Sequence, residues 1–305
     1  MWLVRSLLVL LFVIWSNAFT AIRHCREIMS PMQLVLARFL PVLLIGSAWI
    51  LSVPALRKEA ISTMRSAPSR IAGMGLFGVT GYNFFIYLGQ SEIKPGAAAL
   101  VTTLAPLFTL LFALGFLREK VPPRRAAGIF IAFVGLFVVL RWGRVGMGRM
   151  TGIENADVKY MLIASLAPLS WSLYTIIGKD LIGTRSPAVV TCLPILVGTL
   201  PLLPFIDSSF FEMVASMRMS HWAAVAYLSL MSTVVGFFIW NFALKHMSAT
   251  SVASFIYLNP PFAALFGWLL YGEEVTLWFL AGSAVVLAGL WLAQERRKGG
   301  ETAGR

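Results

Sequence analysis

The chain carries one stretch twice, and this duplication constrains its fold more than any other feature. Leu104-Ala105-Pro106-Leu107-Phe108 lies in one apolar run and Leu258-Asn259-Pro260-Pro261-Phe262 in another. Pro106 is followed by Glu119, Gly128 and Gly135, and Pro260 by Glu273, Gly282 and Gly289, each partner 154 residues from its counterpart. Trp15-Ser16, Arg23 and Ser30-Pro31 pair with Trp171-Ser172, Lys179 and Ser186-Pro187 at an offset of 156, and Gly81-Tyr82-Asn83 with Gly236-Phe237-Phe238 at 155. Self-similarity at one long period gives the outline: two halves of similar length with a seam near residue 150.

Composition places both halves in a membrane. Of 305 residues 58% are hydrophobic and the mean hydropathy is +0.81, beyond what a water-facing surface could hide. A helix needs roughly 20 apolar residues to cross a bilayer, and ten windows supply them: 3–22, 33–53, 70–90, 96–116, 125–142, 159–178, 188–206, 222–244, 250–271 and 276–294. The expected fold class is an all-α integral membrane protein with ten transmembrane helices. Arg5 before an apolar run, with Ser16-Asn17-Ala18 after it, resembles a secretion signal. Its copy around Trp171 lies mid-chain, so the first span is expected to be retained.

The net charge of +12 does not point to nucleic acid, because the basic residues are scattered among short loops. With the amino terminus in the cytoplasm, sixteen Lys and Arg fall inside and eight outside, which places both termini inside. The loop holding Arg141, Arg144, Arg149 and Lys159 runs against the trend, but moving it would delete a span and break the repeat. Five spans per half is an odd number, so the second half enters the membrane from the opposite side and the repeats are inverted. The expected division is 3–142 for the first repeat, 143–158 for a connecting loop, 159–294 for the second repeat and 295–305 for a cytoplasmic tail.

Chemistry is informative by its absence. All 13 acidic residues fall in loops or at helix ends, so the deep carboxylate that lets a carrier trade a proton or cation for its cargo is missing. Cys25 and Cys192 make neither a disulfide framework nor a metal site, and no metal or cofactor is expected. His24, His221 and His246 lie at span ends, and neither HExxH nor a membrane Asp pair is present, which argues against an intramembrane enzyme. Glu119 and Glu273 precede the starts of the following helices, where an acidic charge is favourable. Gly128, Gly135, Gly282 and Gly289 recur every seven residues and read as close helix packing.

Arg38 is the one ionised residue inside a span. Its guanidinium either snorkels outward to water and phosphates or faces a cavity and attracts an anionic group. Pro106 and Pro260 sit mid-span and are expected to kink their helices as paired hinges, freeing the carbonyls of Thr102 and Ile256. Around them lie the candidate substrate-binding residues Trp15, Asn17, Tyr82, Asn83, Thr102, Thr103, Trp171, Tyr174, Tyr257 and Asn259, alongside Arg38. Buried amides need partners, so Asn17, Asn83 and Asn259 face either other helices or a wet cavity. Trp240 and Asn241 lie closer to the cytoplasmic end, where an interfacial belt is expected.

These residues resemble the drug/metabolite transporter superfamily, specifically its ten-helix EamA-like exporters. The likeness rests on Trp15-Ser16, on Arg38 seven residues after Pro31, on the Pro106, Glu119 and Gly135 spacing, and on its copy through Pro260, Glu273 and Gly289. It implies two inverted five-helix repeats around a central cavity that opens alternately to either side. The chain lacks the first-helix glutamate of the four-helix small-multidrug-resistance relatives. The functional expectation is an inner-membrane carrier exporting a small polar metabolite, an amino acid or related carboxylate, with membrane lipids as its surroundings and a monomer or dimer as its assembly. The alternatives are a carrier or flippase for a sugar, nucleotide-linked or lipid-linked substrate, or a multidrug exporter.

Overall fold

The two Ser-Pro pairs start helices in the same way. Ser30 is extended (φ −64°, ψ 161°), its hydroxyl accepts from Gln33 N, the Gln33 side chain accepts from Ser30 N, and Pro31 opens α2 (Pro31–Ser52). Ser186 caps α9 (Pro187–Thr199) through Val189 N, with Pro187 behind it. The computed structural model describes residues 2–89, 101–118, 121–142, 155–259, 261–262, 265–266, 269 and 276–293, and every regular element among them is helical.

In chain order, α1 (Trp2–Cys25) and α2 are followed by α3 (Pro54–Ser66). Next come α4 (Pro68–Gly75), a π-helical stretch (Leu76–Gly81) and α5 (Tyr82–Gly89), which form one rod. The first half closes with α6 (Ala105–Gly115) and α7 (Pro123–Trp142). The second half begins with α8 (Asn155–Thr184), four residues earlier than the expected span, then α9 and a 3-10 segment (Leu200–Phe205). There follow α10 (Ser208–Ser216), the rod of α11 (Met219–Ala226), a π-helical stretch (Tyr227–Val235) and α12 (Gly236–His246), then α13 (Ala249–Ser254), a 3-10 segment (Phe255–Leu258) and α14 (Leu277–Ala293). The expected tail lies outside the described residues, as do Pro260, Glu119, Glu273 and most of the connecting loop.

Four of these helical stretches are long and apolar enough to cross a membrane: Pro31–Ser52, Pro68–Leu88, Pro187–Phe205 and Met219–His246. The other expected spans are carried by α1, α7 and α8 and by shorter apolar helices, or are only partly described. Large apolar side chains stand outward on several of them, among them Leu44, Leu111, Phe130, Leu280 and Trp291. Such a surface suits hydrocarbon rather than water.

Two helices were not expected. α3 and α10 occupy stretches read as loops and begin 154 residues apart. Each buries one short stripe, Ala60 and Thr63 in α3 and Phe210 and Met213 in α10. Each braces the start of a long helix from the other half. Glu59 of α3 accepts from Ser186 N (2.7 Å) and Oγ (2.8 Å), while Gln33 Nε2 donates to Ser209 O and Oγ in α10, both at 3.2 Å. Asp207 caps α10, and hydrogen bonds from Ser209 Oγ and Phe210 N hold its carboxyl below the usual carboxylate range.

The proline expectation is met differently. Pro106 opens α6 after a turn at Thr103 and Leu104, so the span is broken rather than bent. In the second half α13 ends at Ser254 and the chain tightens into 3-10 geometry, where the Ile256 carbonyl accepts from Asn259 N. These two irregular stretches stand in register, 154 residues apart.

The seven-residue glycine pattern brings α7 and α14 into backbone contact. A Cβ on Gly289 would lie 2.4 Å from Ala132 N, and one on Gly128 would lie 2.5 Å from Ala293 N. Gly183, in contrast, has nothing within 4 Å of that position. Gly289→Ala should therefore lower stability by about 1–3 kcal/mol, whereas Gly183→Ala should change it by less than about 0.5 kcal/mol. Thermal unfolding of both variants in the same detergent checks the contrast.

Candidate functional site

The helices enclose a cavity of about 110 Å³, and each wall can be read from a helical stripe. α1 contributes Trp15, Ala18 and Ile22, spaced three and four apart on one face. The rod of α4 and α5 contributes Gly78, Tyr82 and Ile86 on one row and Asn83 and Tyr87 on the next. α2 gives Arg38, α8 gives Trp171, and the rod of α11 and α12 gives Ser232 and Phe237. Thr102, Ala105, Ile256 and Asn259 complete the lining from the two irregular stretches.

Both π-helical stretches stand in these walls and aim their polar groups. In the second, Thr233 Oγ1 donates to Leu228 O, five residues back, at 2.8 Å. The same oxygen accepts from Arg38 Nε at 2.7 Å, and Ser232 Oγ accepts from an Arg38 terminal nitrogen at 3.3 Å. Ser229 Oγ donates to Arg38 O at 2.8 Å, which fixes α2 against this stretch. Arg38 is half-buried, its guanidinium carbon lies 5.2 Å from the Phe39 ring centroid, and no carboxylate among the described residues pairs with it. Seven residues into α2, it sits about 10 Å from the helix start at 1.5 Å per residue. The choice left open by the sequence falls to the cavity.

Trp171 is the hub of an aromatic floor. Trp15, Tyr82 and Phe237 surround it at 5.4, 5.5 and 5.2 Å between centroids, and Tyr174 stacks behind it at 5.1 Å. The Trp15 indole N–H donates to Ser232 O at 2.9 Å. That of Trp171 is buried and has no acceptor among the described residues. Asn259 is held by Ser16, whose hydroxyl lies 3.1 Å from both its carbonyl and its side-chain oxygen. Asn83 is 3% exposed and donates to Val79 O at 2.6 Å.

Behind the floor the bundle is closed. Tyr174 donates to Asn241 Oδ1 at 2.9 Å, and Asn241 Nδ2 donates to Thr191 Oγ1 at 3.1 Å. Further along α8, Lys179 Nζ donates to the carbonyls of Leu244 and Met247 at the end of α12. Trp240 and Asn241 are fully buried in this layer, so the interfacial belt expected of them is replaced by core packing against Trp15 and Trp171 and by the Tyr174 bond.

Of the expected site residues, Trp15, Arg38, Tyr82, Asn83, Thr102, Trp171 and Asn259 line the cavity. Four do not. Asn17 turns to Tyr227 of the neighbouring rod. Thr103 is buried beside the cavity without lining it, and Tyr174 lies one layer behind. Tyr257 points away, into a separate apolar cluster with Ile129, Ala132 and Val286. Tyr87, Ser232 and Phe237 were missed as site residues. Tyr87 was accessible as the residue four after Asn83, and Phe237 as the repeat counterpart of Tyr82. Ser232 carries no periodic signal, because a π turn shifts the register.

The EamA-like transporter family matches residues 3–141 and 158–293. An "Uncharacterized transporter" of Archaeoglobus fulgidus is 28% identical, covering 97% of this chain and 99% of that one. A "Probable terminal-alkyne amino-acid exporter" of Streptantibioticus cattleyicolor is 29% identical over 96% and 93%. A "Probable amino-acid metabolite efflux pump" of Salmonella typhimurium is 24% identical over 94% and 93%. A solved crystal structure aligns with a TM-score of 0.71 at 21% identity and 95% coverage of both chains, a likeness of fold.

The two cavity indoles should respond differently to the same change. Trp15→Phe strips Ser232 O of its donor and should cost about 1–2 kcal/mol, read as a lower unfolding midpoint. Trp171→Phe removes a donor with no acceptor, so its midpoint should fall less than that of Trp15→Phe.

Proposed function

Because the chain belongs to the EamA-like transporter family, we propose that it is a secondary transporter of a small polar metabolite, an amino acid or related carboxylate, exported across the inner membrane by alternating access. One observation carries the substrate class. Among the described residues Arg38 is the only charged one that lines the cavity, it is held by neutral hydroxyls, and no carboxylate pairs with it. A carboxylate entering there completes a bidentate pair. The indole N–H of Trp171 supplies a second donor, and the rings of Trp15, Tyr82 and Phe237 suit the apolar part of the cargo. The printed names of the Streptantibioticus and Salmonella relatives agree with this class.

The mechanism rests on ten transmembrane helices in two inverted repeats, residues 3–142 and 159–294, joined by 143–158 and followed by the tail 295–305. Four repeat-related pairs support this, since both members line the one cavity: Trp15 with Trp171, Tyr82 with Phe237, Thr102 with Ile256, and Ala105 with Asn259. With both termini cytoplasmic, the Cys25 end of α1 is outside and the Lys179 layer inside. On that orientation the cavity is reached from outside, a reading supported by the lining, which extends to Ile22, Arg38 and Tyr87 and stops at Trp171. Opening inward breaks the Tyr174 to Asn241 and Lys179 to Met247 bonds, with the chain flexing at the irregular stretches before Pro106 and Pro260. Cargo shifts this equilibrium only by its differential affinity for the two states.

Arg38→Ala should reduce counterflow of a carboxylate substrate in proteoliposomes by at least about tenfold, the scale of a lost charge-assisted hydrogen bond, with expression and unfolding midpoint retained. Untargeted metabolite profiling with and without the gene supplies the candidate substrate. Unchanged counterflow in Arg38→Ala rejects the assignment.

A further inference from the structure

His24, Glu27 and His221 meet at the Cys25 end of the bundle, outside the cavity. His24 is in the last turn of α1, Glu27 in the turn that follows, and His221 in the first turn of α11. The two imidazoles stack with centroids 4.6 Å apart and planes 19° from parallel, and His24 Nδ1 is 3.6 Å from Glu27 Oε1. One ligating atom from each of the three residues lies within 4.8 Å of the others. Nε2 of both rings is buried without a hydrogen-bond partner among the described residues, and His221 as a whole is only 3% exposed. Buried ring nitrogens without partners are costly, and here both such rings lie beside the same carboxylate. Two imidazole nitrogens and one carboxylate oxygen suit a divalent first-row metal, Zn²⁺ above all. The Glu27 side chain is 64% exposed and that of His24 36%, so an ion can approach from water.

We propose that His24, Glu27 and His221 form a Zn²⁺ site that ties the end of α1 to the start of α11. His221 Nδ1 accepts from Arg218 N at 3.1 Å, so the neutral ring carries its proton on Nε2. Coordination through Nε2 turns the ring out of its stack with His24, because a metal lies in the plane of each imidazole it binds, moves that proton to Nδ1 by way of solvent and opens the Arg218 hydrogen bond, leaving the ring neutral. A water takes the fourth position, so the ion is exchangeable rather than sealed in. The same two elements continue into the cavity walls, through Trp15 and Ala18 on one side and Ser232 and Phe237 on the other. A bound ion therefore fixes those walls against each other.

The test is calorimetric titration of the full chain in lipid nanodiscs with ZnCl₂, run beside His24→Gln and His221→Gln. A glutamine at the third helical position can still accept from the cap N–H, as in a capping box, so His221→Gln loses the imidazole while keeping the cap. The expected result is one ion per chain, affinity lowered at least about tenfold in each variant, and no competition from Mg²⁺, which prefers an octahedron of oxygens. Zn²⁺ should also slow amide exchange at the end of α1 and the start of α11 together. The site is overturned by absence of binding to the wild type, by equal binding in the variants, or by protection confined to one of the two helices.

Discussion

A backbone buried in hydrocarbon can bond only with itself and nearby side chains, so every departure from α geometry needs compensation close by. Here four such departures ring one cavity: the π-helical stretches Leu76–Gly81 and Tyr227–Val235, the turn before Pro106, and the 3-10 segment Phe255–Leu258. Side chains supply much of the compensation. Thr233 Oγ1 bonds Leu228 O, the Trp15 indole bonds Ser232 O, Asn83 bonds Val79 O, and Thr80 Oγ1 reaches across to Gly198 O at 2.6 Å. The same bonds that satisfy irregular backbone also orient the residues lining the cavity. Segments held by side chains rather than by a continuous ladder are also those that open at lowest cost.

The electrostatics of the cavity follow from what Arg38 lacks. A guanidinium keeps its charge, and holding it away from bulk water costs several kcal/mol unless a counter-charge is present. Hydroxyls from Ser232 and Thr233 offset part of this by hydrogen bonding but bring no negative charge. Among the described residues the cavity lining is therefore left electropositive.

Sequence reasoning reached the features that rest on local rules. The glycines of α7 and α14 are legible because small residues two turns apart mark close packing, whereas Ser30-Pro31 and Ser186-Pro187 entered only as repeat markers and their capping role comes from the structure. It missed α3 and α10, whose buried stripes are only two residues deep, Ala60 and Thr63 in one and Phe210 and Met213 in the other, and carry little periodic signal. It grouped Tyr257 with the site because depth along a span is readable, whereas rotation about the helix axis is not once 3-10 geometry has changed the turn. Asn17 failed for a related reason, since the α1 stripe that reaches the cavity is Trp15, Ala18 and Ile22. The meeting of His24 with His221 is a tertiary event with no trace in spacing.

The duplication explains the scaffold but not the chemistry, and the difference is visible residue by residue. Gly78 and Thr233 are repeat counterparts, 155 residues apart, and each sits in a π-helical stretch beside the cavity. At Gly78 the missing side chain makes room for the Tyr174 ring, since a Cβ there would lie 2.4 Å from it. At Thr233 the hydroxyl instead receives Arg38. The counterpart of Arg38 itself, 156 residues on, is Pro194, which carries no charge. One copy of the π-helical stretch therefore packs an aromatic floor, and the other holds a cation. The two copies of the π-helical stretch have divided the polar work between them, so the cavity wall carries its charge on one side. Under the proposed function, this asymmetry gives an anionic cargo one orientation, its charge toward α2 and its apolar remainder over Trp171.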